Sequence, residues 1–336
     1  MWVKCHTVIT LLFLMTCCKD SETKKESIVY IGGNRVEGDN SKTTTIAKYW
    51  KNGVPNEVAK ISVDAYNGAG ISITAIAVSG EDIYLAGREN DIAKYWKNGV
   101  GVPLSDGKTV ATATCIEVSG SDVYIGGFDY DSGAKYWKKG ILVPLENAST
   151  YISRIRAMTT SGNDIYLVGR SDAGAAFWKN GIVTNITDPG SYFTSIAVSG
   201  KDIYVAGLIA KPYTSGFYFP FKANVAAYWK NGLVVELSND FVDSEALSIA
   251  VSDGDIHVVG NEGWFARYWK NGEVIDGLRD ASSYKSIAIN EDNIHIIGTD
   301  RGLPTYWKNG TATVIGIYES STTSSKLDVL TCIVVK

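Results

Sequence analysis

Aromatic residues are the side chains in this sequence best suited to a binding chemistry. A run within residues 208–225 supplies five of them: Tyr213, Phe217, Tyr218, Phe219 and Phe221. Trp264 adds a sixth further along the chain. Aromatic faces suit sugar rings and the centres of protein interfaces. Because so many rings are costly to leave in water, we predict an aromatic surface that binds a glycan or a protein. A lid that packs on its own scaffold is the alternative.

Dispersed carboxylates offer a second chemistry, the cleavage of a glycosidic bond, which needs two carboxyl groups about 5–10 Å apart. Five acids lie in or beside the same class of loop as the aromatic run: Glu89, Asp91, Asp129, Glu262 and Asp300. The sequence contains no nucleophile elbow, phosphate-binding loop or zinc-protease motif. A polysaccharide hydrolase or lyase is therefore the alternative to a binding protein. The favoured interpretation has no catalytic residue, no metal and no cofactor.

Histidines and cysteines, the usual nucleophiles and metal ligands, are few. His257 and His295 stand where other copies of an internal repeat have tyrosine, which predicts a packed, hydrogen-bonded position rather than a metal site. Cys115 and Cys332 stand where other copies have alanine or serine. Since the two cysteines belong to copies that are not neighbours, we predict buried thiols and no disulfide.

The repeat itself is the strongest pattern in the sequence. Tyr-Trp-Lys-Asn-Gly, or a close variant, occurs seven times, with its tryptophan at Trp50, Trp96, Trp137, Trp178, Trp229, Trp269 and Trp307. A period near 40 residues fits the four short strands of a β-propeller blade. In the second copy, residues 74–78, 83–87, 93–97 and 100–104 are predicted as strands a, b, c and d. Asn98-Gly99 predicts a type I′ turn between strands c and d.

The two ends of the chain supply one copy between them. Residues 29–33 match strand b of the second copy, and residues 331–335 match its strand a. One blade is thus made from both termini, which closes the ring and leaves no unpaired edge. We predict an all-β fold over residues 28–336, a seven-bladed β-propeller of four-stranded antiparallel blades.

The combination of Val-Ser-Gly-x-Asp-Ile-Tyr with Tyr-Trp-Lys-Asn-Gly resembles the tandem repeats of a group of functionally uncharacterised bacterial lipoproteins. The resemblance covers essentially all of residues 28–336. It implies a β-propeller and brings no activity with it.

The N-terminal segment is predicted to be a lipoprotein signal peptide over residues 1–16, with Lys4 before an apolar run at residues 8–15. The run is too short to span a bilayer. Residues 14–17, Leu-Met-Thr-Cys, resemble a lipobox, so Cys17 is the predicted acylation site. Thr16 departs from the usual Gly, Ala or Ser, which leaves Cys18 as an alternative. Residues 17–27 are predicted to be the lipidated tether.

Residues shared by every copy are expected to serve the fold, and residues that vary are expected to serve function. The shared lysines that precede each c–d turn are Lys51, Lys97, Lys138, Lys179, Lys230, Lys270 and Lys308. A ring of amines could meet an anionic surface, but solvated lysines beside turns are the favoured interpretation. Variation is concentrated in the b–c and d–a connections, which strand alternation places on one face.

We therefore predict a lipoprotein of the cell envelope that is held to the outer membrane by its lipid, faces either the periplasm or the cell surface, and binds a glycan or an envelope protein. An envelope-assembly scaffold is a third interpretation. A net charge of −4 argues against nucleic acid as a partner. A closed propeller is expected to be monomeric.

Overall fold

A computed structural model describes residues 27–39, 41–64, 70–185, 190–212, 222–239, 242–275, 283–321 and 324–336. The predicted acylation sites Cys17 and Cys18, and the aromatic run at residues 213–221, lie outside the described residues. The described part of the chain contains no helix long and apolar enough to cross a membrane.

The described residues form 29 strands. Blade one begins with β1 (Val29–Asp39), β2 (Lys42–Lys51) and β3 (Val54–Asp64). Blade two is β4 (Ile71–Ser79), β5 (Asp82–Glu89), β6 (Ile92–Lys97) and β7 (Val100–Pro103). Blade three is β8 (Ala111–Ser119), β9 (Asp122–Asp129), β10 (Gly133–Lys138) and β11 (Ile141–Val143). Blade four is β12 (Arg154–Ser161), β13 (Asp164–Ser171), β14 (Gly174–Lys179) and β15 (Ile182–Asn185).

The second half of the chain continues the pattern. Blade five is β16 (Tyr192–Ser199), β17 (Asp202–Pro212), β18 (Lys222–Lys230) and β19 (Leu233–Glu236). Blade six is β20 (Ser244–Ser252), β21 (Asp255–Glu262), β22 (Phe265–Lys270) and β23 (Glu273–Val274). Blade seven is β24 (Ser283–Asn290), β25 (Asn293–Asp300), β26 (Leu303–Lys308) and β27 (Thr311–Val314). The chain then returns to blade one with β28 (Tyr318–Ser320) and β29 (Ser324–Val335).

The sheet topology confirms the predicted seven-bladed β-propeller. Blades two to seven are four-stranded antiparallel sheets in chain order. In blade one the order is β28-β29-β1-β2-β3, so the C-terminal strand β29 takes the place of strand a beside β1. Each inner strand a contacts the inner strand of the next blade, and β24 contacts β29, so the inner strands surround a central channel. The edge strand β28 makes blade one five-stranded, which the repeat did not predict.

A β-bulge near the start of every inner strand explains a glycine in every copy. In blade two the pairing of β4 with β5 shifts between Ile73 and Ala75, which leaves Thr74 as the extra residue. The bulge brings the carbonyl oxygen of Ser72 within 1.8 Å of where a Cβ on Gly87 would lie. The equivalent glycines meet a backbone oxygen at 1.8–2.2 Å and are Gly33, Gly87, Gly127, Gly169, Gly207, Gly260 and Gly298.

The tryptophans of the repeat are buried between blades. Trp137 of blade three packs in one cluster with Tyr84 of blade two. Trp50 of blade one packs with Ile297 of blade seven, so the packing continues across the point of closure. All seven repeat tryptophans are at most 5% exposed. Burial of such large side chains is the main apolar contribution to holding the ring together.

The predicted c–d turns are confirmed in detail. Asn98 and Gly99 have φ values of 49° and 85°, as a type I′ turn requires. The side-chain oxygen of Asn98 accepts a hydrogen bond from the backbone N–H of Ile83 at 2.9 Å. Asparagine therefore serves both the turn and the neighbouring strand b, which explains its recurrence in the repeat.

Blade one is closed by close packing as well as by the β1–β29 ladder. A Cβ on Gly32 would lie 2.7 Å from the sulfur of Cys332. The equivalent pair in blade two is Ala75 and Ala86. The larger side chain on one strand is therefore matched by glycine on the other.

A buried ion network holds three strands of blade one together. Arg35 of β1 donates two hydrogen bonds, at 2.9 and 3.0 Å, to the carboxylate of Asp328 in β29. The Lys48 ammonium of β2 lies 3.4 Å from the same carboxylate, and both groups are almost fully buried. The backbone N–H of Ile317 donates to Asp328 as well. The carboxylate is thus well supplied with donors, as a buried charge requires.

Strand polarity gives the ring two faces. The loop face carries the b–c and d–a connections, and the turn face carries the tight a–b and c–d turns. The chain enters the propeller at the turn face, where Ser27 accepts a hydrogen bond from Asn290, the last residue of β24 before the a–b turn of blade seven. Ile28 and Lys336 exchange backbone hydrogen bonds of 2.8 and 3.0 Å beside it.

Candidate functional site

The turn face is occupied by a repeated ion pair. Lys97 of blade two lies 2.7 Å from the carboxylate of Asp82 and 5.3 Å from the ring centroid of Tyr84. Lys97 is the first of the groups that lower the pKa of Asp82. The same pair recurs as Lys138–Asp122, Lys179–Asp164, Lys230–Asp202 and Lys270–Asp255. Because five of the seven shared lysines have a carboxylate partner, this face does not present a ring of unpaired amines.

The two histidines occupy the tyrosine position of strand b, where their environment suits a structural role. His295 is fully buried, and its Nδ1 lies 2.7 Å from the hydroxyl of Tyr306. Burial lowers the pKa of His295 to about 4. His257 has the same relation to Tyr268, and burial also lowers its pKa. Both rings are therefore neutral near pH 7 and are poor proton donors there.

Cys115 and Cys332 are free thiols; Cys115 is buried as expected, whereas Cys332 is half-buried. Burial raises the pKa of each thiol to about 12, so neither is a reactive thiolate at neutral pH. Among the residues with described positions, no group of three or more His, Cys, Asp and Glu side chains could hold a metal ion.

The five acids considered for glycoside cleavage lie at the b–c ends of four blades, and three of the acids have local partners. Glu89 accepts a hydrogen bond of 2.6 Å from a lysine of β6, and Glu262 accepts one of 2.7 Å from an arginine of β22. Asp129 accepts two backbone N–H groups of its own turn at 2.9–3.0 Å. Asp91 and Asp300 occupy the corresponding ends of blades two and seven. These contacts give Glu89, Asp129 and Glu262 structural roles.

Trp264 is the one member of the predicted aromatic surface that falls within the described residues. It stands at the tip of the b–c turn between β21 and β22 and is 92% exposed. Its neighbour Phe265 is 58% exposed. The other predicted members, residues 213–221, lie beyond the described strands β17 and β18. The structure therefore places two neighbouring aromatic side chains, Trp264 and Phe265, in solvent on the loop face.

Sequence reasoning missed a pocket rich in arginine on the same face. We call it the basic pocket, a cavity of about 370 Å³ lined by Tyr151, Ile152, Arg154, Arg156, Arg170 and Tyr192. These side chains come from the loop before β12, the start of β12, the end of β13 and the first residue of β16. The basic pocket therefore lies at the loop-face end of the inner strands of blades four and five, beside the central channel.

The arginines of the basic pocket are held by the strands and by aromatic rings. Arg154 and Arg170 are direct partners in the β12–β13 ladder, although like charges so placed repel each other. The Arg154 guanidinium lies 4.4 Å from the ring centroid of Phe128 and 5.1 Å from that of Tyr130. These rings fix the direction of its side chain.

Tyr192 completes the opposite wall of the basic pocket. Its hydroxyl donates a hydrogen bond of 2.7 Å to Glu245. Burial and this hydrogen bond raise the pKa of Tyr192, and the positive charge of nearby Arg156 works in the opposite direction. Arg156 itself is exposed to solvent. The tyrosine therefore remains a neutral hydroxyl beside a guanidinium.

Arg156 is the bulged residue of blade four. In most other blades the bulged residue is a threonine that supports the fold. In three blades the bulged threonine donates to a carbonyl of the next blade: Thr74 to Ala113 at 2.6 Å, Thr114 to Ile155 at 2.7 Å and Thr194 to Ala246 at 2.6 Å. Blade four has an arginine there, which cannot make that compact bond. Comparison of the copies at the bulge position would have singled out Arg156 from sequence, once the bulge was known.

Comparison with known proteins adds little to these geometric findings. No protein family and no curated protein matches the chain. A crystal structure of the computationally designed Ika8 protein is similar to it, with a TM-score of 0.48 and 15% sequence identity over 88% of this chain and 96% of that chain. At this level of similarity the assignment of the fold rests on the strand topology alone. The resemblance to the uncharacterised lipoproteins stays a prediction.

Proposed function

We propose that this protein is a lipid-anchored binding propeller of the bacterial cell envelope that captures a glycan on its loop face. The observation that carries the proposal is the exposure of Trp264, which is 92% accessible while the seven repeat tryptophans are buried. The fold makes no use of this ring, and its flat apolar face suits a sugar ring. The basic pocket also favours glycan binding on the loop face, because it adds two tyrosines and several hydrogen-bond donors there.

The difference in ion pairing between the two faces also favours the loop face as the binding surface. The turn face repeats one ion-paired arrangement from blade to blade. The loop face differs in every blade, and loops on a rigid scaffold are where binding groups are usually presented. The acids considered for hydrolysis have local partners in three blades, so binding is the function that this geometry supports best.

Replacing Trp264 with alanine, the residue that blade four has at this turn position, is expected to weaken glycan binding about twofold to twelvefold. One aromatic contact contributes roughly 0.5–1.5 kcal/mol beyond its buried area, which gives this range. The measurement is retention of the detergent-purified protein on a glycan array, followed by titration of the retained glycan. Leu233→Ala is the matched control, because Leu233 is 77% exposed on the turn face. If no glycan is retained, or if both variants bind alike, the proposal is wrong, and an envelope-protein partner becomes the better hypothesis.

The lipid anchor is a separate prediction with its own test. Metabolic labelling with a fatty acid is expected to mark the wild-type protein and Cys18→Ala, and to fail for Cys17→Ala. The expectation rests on the lipobox-like residues 14–17. Labelling lost only in Cys18→Ala moves the acylated residue by one position. Labelling that survives in the double variant contradicts the anchor.

A further inference from the structure

We propose that the basic pocket binds the anionic group of an acidic sugar, either the carboxylate of a uronic acid or a sulfate ester. The inference names the ligand class for the glycan-binding function proposed above, and it rests on that function. A carboxylate and a sulfate ester share one property: each presents negatively charged oxygens that accept hydrogen bonds from guanidinium groups.

The charge of the basic pocket points to an anion. Three guanidinium groups line one cavity in a protein whose net charge is −4. Among the described residues, neither Arg154 nor Arg156 forms an ion pair, whereas Arg35 and Arg267 do. Glu245 accepts a hydrogen bond from the hydroxyl of Tyr192 and keeps its negative charge, so one carboxylate stands beside three guanidinium groups. An anionic ligand would relieve the repulsion between the guanidinium groups.

The basic pocket is organised before any ligand arrives. The guanidinium of Arg154 lies against two aromatic rings, so little side-chain freedom is left for a ligand to remove. The loop that carries Tyr151 is held by Asp172, which accepts hydrogen bonds from the backbone N–H and the hydroxyl of Thr150. Both walls of the pocket are therefore supported by neighbouring residues.

The size and lining of the basic pocket favour a sugar as the carrier of the anion. Its volume of about 370 Å³ falls in the range of roughly 300–1,000 Å³ typical of small-ligand pockets. Tyr151 is 69% exposed and offers one ring face and a hydroxyl, and Tyr192 lines the other side. A pyranose ring presents both apolar C–H groups and hydroxyls, so it complements these walls.

Arg156 provides a test that does not depend on damaging the fold. Arg156→Thr installs the residue that blades one, two, three and five have at the bulge. The hydroxyl of the new threonine can donate a hydrogen bond to a carbonyl of the next blade, as the hydroxyl of Thr74 does to the carbonyl of Ala113. The variant is therefore expected to be at least as stable as the wild type while it loses one guanidinium from the basic pocket.

Lys285→Thr is the matched control. Lys285 is the bulge residue of blade seven, where the β24–β25 pairing shifts between Tyr284 and Ser286. It is exposed and positively charged, like Arg156, but it does not line the basic pocket. The control removes the same net charge and installs the same threonine, so it separates local recognition from the general effect of charge.

The experiment is isothermal titration of the detergent-purified protein with three ligands of one sugar series: trigalacturonate, a sulfated galactotriose and neutral galactotriose. We expect at least one anionic ligand to bind about tenfold or more tightly than the neutral one, because a charge-assisted hydrogen bond is lost without the anion. Arg156→Thr is expected to remove this preference, and Lys285→Thr is expected to keep it. Rising salt is expected to reduce it.

Two results would overturn the inference without touching the proposed function. Equal binding of the anionic and neutral sugars, or an unchanged preference in Arg156→Thr, overturns the inference and leaves glycan capture on the loop face intact. If neither anionic sugar binds, the inference is overturned as well. The glycan array then decides whether the proposed function falls with it. A preference for only one of the two anionic ligands identifies which oxygen group the basic pocket receives.

Discussion

Replacing Gly87 with alanine is expected to destabilise the propeller by about 3 kcal/mol or more, at the upper end of what overpacking costs in a core. The new Cβ would lie 1.8 Å from the carbonyl oxygen of Ser72 and 3.1 Å from the Cα of Ile73. These are backbone atoms of the inner strand, so no side chain can rotate away. Relief requires β4 and β5 to separate, which breaks the ladder beside the bulge.

The measurement is the midpoint of urea unfolding, with the slope checked for a change in the unfolding mechanism. Gly38→Ala is the matched control, because Gly38 also lies in a strand and its Cβ would meet its nearest neighbour only at 3.3 Å. We expect the control to change the free energy of unfolding by no more than about 0.5 kcal/mol. Equal midpoints for the two variants would show that the bulge does not impose glycine.

Replacing Glu117 with glutamine is expected to stabilise the protein by about 3 kcal/mol at pH 8 and to leave it unchanged near pH 4. Glu117 lies on the inner strand of blade three, where the other six blades have an uncharged residue. Burial raises the pKa of Glu117 from 4.5 to about 7, against a smaller lowering by the charge of Lys336. The difference between these two pKa values corresponds to roughly 3 kcal/mol.

The direction of the pH effect follows from proton counting. Between about pH 4.5 and pH 7 the folded state binds more protons at Glu117 than the unfolded state does. The free energy of unfolding therefore falls as the pH rises through this window. Glutamine cannot ionise, so its profile is flatter by the contribution of this one group.

Urea unfolding of wild type and Glu117→Gln across pH 4–8 tests the prediction, with the difference between the two curves as the readout. The control is Glu81→Gln, which changes an exposed glutamate in an a–b turn and should leave the shape of the profile as in the wild type. Parallel curves for wild type and Glu117→Gln would contradict a protonated Glu117 in the folded protein.

The number of blades and their closure could be predicted because both depend on local signals. The Asn98-Gly99 turn requires a particular backbone, and the Tyr-Trp-Lys-Asn-Gly string marks strand c wherever it occurs. The match of residues 331–335 to strand a located the point of closure. Edge strand β28 was not predictable in this way, because it belongs to no copy of the repeat.

The basic pocket could not be found from the repeat alone. Arg154 and Arg156 are two residues apart on one strand, where alternation predicts the same side in a regular ladder. Arg170 faces Arg154 only because the two strands pair in the observed register. Tyr192 comes from another blade. These residues are ordinary surface types, so only the strand pairing and the bulge show that they share a cavity.

The entry of the chain on the turn face has a consequence for how the molecule stands on a membrane. Ser27 and Ile28 lie beside the a–b turn of blade seven, on the side opposite the basic pocket and Trp264. If Cys17 carries the lipid, a tether of residues 17–27 spans at most on the order of 35 Å. So short a tether would hold the turn face toward the membrane and the loop face, with the basic pocket and Trp264, away from it.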